Sequence, residues 1–243
     1  MIIHAKKGQT SYGEAIGILM LDTFTPFIHG DVGNAATFPF PVRYQRVEGF
    51  TVTMALKKAG SVLDSIIEAA KELEREGVKA ITGDCGYMIL HQQKVTQSVS
   101  VPVFLSSLLQ LPFILSILPD EKKAGIICAN SESLDDSLLE AAGIRDTGRL
   151  VVHGMQNYPA FNDTFIRETG TLDTEKVRKE MTDAARSLIA EHPDTGAILL
   201  ECSCLPPYAA AVHEATGLPV FDYITMINHV HAAIAPRRYE DRL

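Results

Sequence analysis

Ala197-Ile198-Leu199-Leu200-Glu201-Cys202-Ser203-Cys204-Leu205-Pro206 holds a whole strand–turn–helix junction. The apolar run is a buried strand, and the cysteine-bearing residues after it form a loop. Pro206 stands in the first turn of a helix, where its missing N–H costs nothing. Upstream, Val177, Met181, Ala184 and Leu188 recur at helical spacing behind Asp173 and Thr174. Leu150 to His153 reads as a strand, Ser133 to Ala142 as a helix closed by Gly143, and Ala124 to Cys128 as another strand. Apolar runs alternating with amphipathic helices predict an α/β fold, a largely parallel sheet covered by helices.

The first half repeats this grammar. Ile16 to Leu21 is a buried strand bounded by Gly13 and Asp22. Val62, Ile66, Ala69 and Leu73 mark a helix, with Ser61 and Asp64 as a capping box and Gly77 just past its end. A strand follows from Val78 to Thr82, then a loop that carries Cys85. Each half thus presents a long helix, an apolar strand and a cysteine immediately past the strand end. Sites in open α/β sheets lie beyond the carboxyl ends of strands, which is where Cys85 and Cys202 fall.

Hydrophobic residues make up 46% of the 243 residues and charged ones 21%, which suits a globular chain with a sizeable core. The net charge of −8 argues against nucleic acid as the main partner, because phosphate binding needs clustered Lys and Arg. Arg237-Arg238-Tyr239-Glu240-Asp241-Arg242 reads as a solvated tail. The longest apolar region, Leu108 to Leu118, is broken by Gln110, Pro112 and Ser116 and falls short of the roughly 18–20 residues of a membrane span. Lys6 and Lys7 lead into Gly8-Gln9-Thr10-Ser11, which is no signal segment. A cytoplasmic location with no membrane partner is expected, and there the cysteines stay reduced.

Carbon next to a carboxylate is a very weak acid. A thiol base on one face and a thiol acid on the other can remove a proton and return one. Helix N-termini lower thiol pKa values, so Cys85 and Cys202, at strand-to-helix turns, are expected to be shifted downward. Gly86, Tyr87 and Ser203 lie in the same loops, placed to stabilise charge on substrate carboxylate oxygens. The scheme demands no metal, flavin or pyridoxal cofactor. Cysteine is otherwise most often a small buried hydrophobe. Cys128, ending a core strand, suits that role; Cys85 suits it poorly, because Gly83-Asp84-Cys85-Gly86 reads as an exposed turn.

Ile198 to Pro206 resembles the second-cysteine motif of the aspartate/glutamate/hydantoin racemase superfamily, roughly L-G-C-T-E-L-P. The resemblance puts the family's catalytic cysteine on Cys202 and its threonine on Ser203, and replaces its Glu or His by Cys204. Ile16-Gly17-Ile18-Leu19 resembles the opening strand, and Pro102 to Ser107 the third strand with a substrate-side loop that includes Ser106. Lys123 to Asn130 resembles the strand that opens the second lobe, and Gly217 to Asp222 the strand before the C-terminal helix. Around the first cysteine the amino-acid racemases have Cys-Asn-Thr, whereas Cys85-Gly86-Tyr87 is more similar to the hydantoin-type members.

This resemblance implies two pseudo-symmetric lobes, each a mostly parallel sheet flanked by helices. Residues 1–118 with 218–243 form the first lobe and residues 119–217 the second. The cysteines then face each other across the interlobe cleft, without a cofactor, in a possible homodimer. The expected activity is that of an isomerase, a racemase or epimerase acting next to the carboxylate or carbonyl of an amino acid or hydantoin. A related decarboxylase, a cis–trans isomerase of dicarboxylates and a non-catalytic small-carboxylate binder are the other readings. The expected substrate-binding residues are Asp22, Gly86, Tyr87, Ser106, Asn130, Ser203 and Cys204.

For Asp22, at the end of the first strand, a site role and a capping role stay equally open. The segment Pro26 to Asn34 fits either a cleft mouth or a surface loop. A Cys202–Cys204 redox pair would close a strained ring and leave Cys85 unexplained. His229 and His231, two apart on a helix, point to different faces and suit no metal site, and His91, four residues past Tyr87, fits a helix surface better than the cleft lining.

Overall fold

The computed structural model describes residues 7–237 with 2, 4 and 239; Lys6 and, in the charged C-terminal run, Arg238 and Glu240 to Arg242 lie outside the described residues. One sheet contains β1 (Ile16–Met20), β2 (Val42–Arg46), β3 (Ala80–Gly83) and β4 (Val103–Phe104) in the order β2-β1-β3-β4. The other contains β5 (Lys123–Cys128), β6 (Leu150–Gly154), β7 (Thr195–Leu200) and β8 (Val220–Phe221) in the order β6-β5-β7-β8. All these pairings are parallel, so the second half repeats the first strand for strand. This is the two-lobed α/β architecture that the resemblance implied, two mostly parallel sheets flanked by helices.

Parallel neighbours need crossovers. In the first half these use α1 (Val52–Leu56), α2 (Leu63–Arg75), α3 (Gln92–Thr96) and α4 (Leu111–Ile117). The second half uses α5 (Asp136–Ala141), α6 (Pro159–Phe161), α7 (Thr174–Glu191) and α8 (Ala209–Thr216). The two long helices dock by one device. A Cβ on Gly17 of β1 would stand 2.9 Å from Leu73 of α2, and a Cβ on Gly125 of β5 the same 2.9 Å from Leu188 of α7. Glycine in the middle strand lets a leucine sink onto the sheet, which closes the core on that side.

From β8 the chain crosses back to the first lobe. Asp222 and Thr225 form a capping box, with bonds of 2.7 and 2.9 Å, that starts α9 (Tyr223–Ile234). Tyr223, Met226 and Ile227 of α9 then pack against Ile16, Ile18 and Ala80 of the first sheet.

Local signals mostly operate as read. Gly77 has φ +94°, as a residue just past a helix end requires, and Asp173 caps α7 by accepting from Lys176 N at 3.1 Å. The Ser61–Asp64 box does not form, because Ser61 lies inside a 3-10 turn (Gly60–Val62) that precedes α2. Strand β2 escapes the sequence pattern, since Val42-Arg43-Tyr44-Gln45-Arg46 is a half-buried edge without an apolar run. Among the described residues no helix is long and apolar enough to cross a membrane.

Candidate active site between the lobes

Strand β3 ends at Gly83 and β7 at Leu200, and each is followed by an acid and a cysteine: Asp84-Cys85 and Glu201-Cys202. Of the four free cysteines, Cys85 and Cys202 are partly accessible, whereas Cys128 and Cys204 are buried. Cys85 and Cys202 open into one cleft of about 570 Å³, mouth included, also lined by Gly86, Tyr87, Ser203 and Cys204. The two loops are tied across the lobes. Ser203 Oγ donates to the Asp84 carbonyl, Tyr87 OH donates to the Asn130 carbonyl at 2.8 Å, and Ser107 Oγ donates to the carbonyls of Leu200 (3.1 Å) and Glu201 (3.0 Å).

Three expected substrate contacts lie outside this lining. Asp22 accepts from Gly49 N at 3.3 Å and pairs with Arg46 at 3.7 Å, so it holds the loop after β2. Ser106 is buried and accepts from Leu108 N at 3.2 Å; its neighbour Ser107 reaches the second lobe instead. Asn130 turns its side chain to Glu132 N, 2.9 Å away, and offers Tyr87 only its carbonyl. His91 is not on a helix surface but buried, edge-on to Phe50 at 6.1 Å.

Sequence reading missed the cleft walls. Thr23, Thr25 and Phe27, from the loop after β1, form one side, and Phe165 and Ile166, from a π-helical turn (Asn162–Ile166), belong to the other lobe. The segment Pro26 to Asn34 therefore serves the cleft through Phe27, while Asp31 is buried near Cys204. The repeated acid–cysteine dipeptide was the available signal for Asp84 and Glu201, which also line the cleft.

The electrostatics reverse one expectation. Burial, reinforced by the charges of Glu201 and Asp84, pushes the Cys85 thiol well up, not down. A short 3-10 turn (Gly86–His91) offers less than desolvation costs. Cys204 is also held protonated, first by its hydrogen bond to Cys202, then by burial and Asp31. Burial raises Asp84 to about 8, and Glu201 and Asp31 to about 7. No Lys, Arg or His stands among the residues lining the cleft. Among the described residues no group of three or more His, Cys, Asp or Glu is arranged to hold a metal ion.

Over 217 residues the chain is 36% identical to a dimethylsulfoniopropionate lyase of Durusdinium sp. clade D, covering 86% of this chain and 71% of that relative. The chain belongs to the dimethylsulfoniopropionate lyase family. Dimethylsulfoniopropionate lyase 7 of Emiliania huxleyi is 34% identical over 232 residues, 90% of this chain and 67% of that one. No family model matches the chain. By fold it resembles an aspartate racemase of Picrophilus torridus (TM-score 0.59, 15% identity, 94% and 96% of the two chains). A glutamate racemase isoform of Bacillus anthracis (0.59, 14%, 91% and 83%) and an arylmalonate decarboxylase (0.55, 14%, 93% and 95%) are similar too.

The racemase superfamily expectation thus holds for the fold and fails for the activity. The relatives that share a third of the sequence are named as lyases, which overturns the isomerase reading. The physical reason is that racemisation and elimination can start with the same step, loss of a proton next to a carboxylate. Two thiols in one cleft can serve both, and the leaving group on the substrate separates them.

Proposed function

We propose that this protein eliminates dimethyl sulfide from dimethylsulfoniopropionate, with Cys202 as the base and Cys85 as a thiol donor. The observation that carries the reading is a pair of accessible thiols in one interlobe cleft, in a chain whose relatives are named for that lyase activity. Cys202 thiolate takes a proton from the carbon next to the carboxylate. The C–H electrons become the new double bond, and the C–S electrons leave on sulfur, giving acrylate and neutral dimethyl sulfide. Elimination needs one base, unlike racemisation, so the second thiol is free to donate. Cys85, kept protonated by burial, donates toward the carboxylate as charge builds there. Cys204, whose thiol is pushed well up by Cys202 and by burial, stays a protonated neighbour of Cys202. Thiol chemistry of this kind suits a reducing compartment, and we place the protein in the cytoplasm.

The test is purified protein with dimethylsulfoniopropionate, the headspace read by gas chromatography and acrylate by liquid chromatography. Equal amounts of both products are expected. Absence of both at micromolar protein overturns the reading.

A further inference from the structure

Asp84 and Glu201 occupy equivalent places in the two lobes. Each is the first residue past its strand, with its N–H on the middle strand: Asp84 N to Leu19 O at 3.0 Å and Glu201 N to Ile127 O at 2.9 Å. Each gives one carboxyl oxygen to the first residue beyond that middle strand. Asp84 Oδ1 accepts from Leu21 N at 2.9 Å, and Glu201 Oε2 from Ala129 N at 3.1 Å. The other oxygens, Asp84 Oδ2 and Glu201 Oε1, take no hydrogen bond among the described residues, although the two residues are only 5% and 1% exposed. Both line the cleft, and Glu201 Oε1 fills the space that a side chain at position 86 would need, 1.8 Å from a Cβ on Gly86.

Two buried carboxyls with no cation in the lining form an uncompensated acidic floor. Desolvation makes their charged forms costly in the free protein, which is why they titrate near neutrality. An arriving positive charge removes that cost. Phe27, Tyr87 and Phe165 line the same cleft, and aromatic rings attract a methylated cation, which has no N–H to donate.

We propose, resting on the lyase reading above, that Asp84 and Glu201 seat the substrate's sulfonium and so select for a positive charge on the atom attached to its β-carbon. The attraction exists in the ground state and vanishes when the sulfide leaves neutral. It therefore acts on substrate binding more than on the chemical step.

The experiment compares two ligands of matched shape by calorimetry. 3-(Trimethylammonio)propanoate has a cationic tail without an N–H, and 4,4-dimethylpentanoate a neutral one. The wild-type protein is expected to bind the cationic ligand on the order of tenfold more tightly. Glu201→Gln and Asp84→Asn, which keep an acceptor oxygen for Ala129 N and Leu21 N, are each expected to pull that ratio toward one. Glu201→Gln should also raise KM for dimethylsulfoniopropionate more than it lowers kcat. Equal binding of the two ligands by the wild-type protein overturns the proposal, as does a ratio unchanged in both variants. Because binding is read without turnover, the two readings fail separately. A protein that makes no dimethyl sulfide yet prefers the ammonium keeps the seat and loses the reaction, and an active lyase without the preference does the reverse.

Discussion

Cys202 and Cys85 share one cleft, and in the proposed reaction they take different roles. A general base contributes about 10²–10⁴-fold, so Cys202→Ser should cut kcat for dimethyl sulfide formation by at least two orders of magnitude. Cys85→Ser keeps a donor hydroxyl and should lose less. A larger loss in Cys85→Ser than in Cys202→Ser would reverse the assignment. Gly86 is the second critical residue, because its bare Cα is what lets Glu201 lie across the floor. Gly86→Ala should cost about 1–3 kcal/mol in urea unfolding, the usual penalty for overpacking. Gly60→Ala, where an added Cβ meets nothing within 4 Å, should stay close to wild type.

Between elements, the cleft mouth depends on one polar latch. Glu168, held at φ +53°, accepts from Phe24 N at 2.8 Å and from the Thr23 hydroxyl. It ties the loop after β1 to the turn after Phe165 and Ile166, so both walls are set against each other. A non-glycine residue in the left-handed region costs free energy, and the surrounding bonds have to offset it. Glu168→Ala removes the bonds and keeps the strained backbone. The expected result is a KM raised by roughly tenfold, with a smaller change in kcat. An unchanged KM would show that the walls hold without the latch.

Across the whole molecule, four buried carboxyls share one response to pH, and Asp222 is raised by burial like the other three. Asp31 and Asp84 rise from an ordinary 3.8 to about 7 and about 8, and Glu201 from 4.5 to about 7. Their folded pKa values exceed the unfolded ones, so the folded state binds more protons between these limits. Stability is then greatest at the acid end of that window and is lost as pH rises through about 7–8. Asp135, lowered to about 2 by Lys58 and Ser137, acts in the opposite direction but below this range. Burial lowers His91, His153 and His231, which opposes this trend below their ordinary 6.5. The melting temperature should therefore fall from pH 6.5 to pH 8.5, and Asp31→Asn should flatten part of the slope. A melting temperature that climbs across this interval would contradict the burial of these groups.

Much of the fold is written in local pattern. Ile16 to Met20, Ala124 to Cys128 and Ala197 to Leu200 read as strands because they are buried on both faces and hence free of polar side chains. Helices α2 and α7 announce themselves by leucine and alanine spacing, and the cysteine loops by lying at strand ends. Polar placement was not legible in the same way. Asp22 follows a strand yet turns to Gly49 and Arg46, and Thr23, Thr25, Phe165 and Ile166 reach the cleft from loops with no periodicity to read.

The sequence by itself determined the α/β architecture, the repeated halves and the two cysteine positions, because periodicity and turn chemistry are properties of neighbours along the chain. Only the tertiary structure decided that Asp84 and Glu201 share a floor free of basic side chains, and that Cys85 shifts up instead of down. Desolvation sums over elements distant in sequence, and no short motif encodes it.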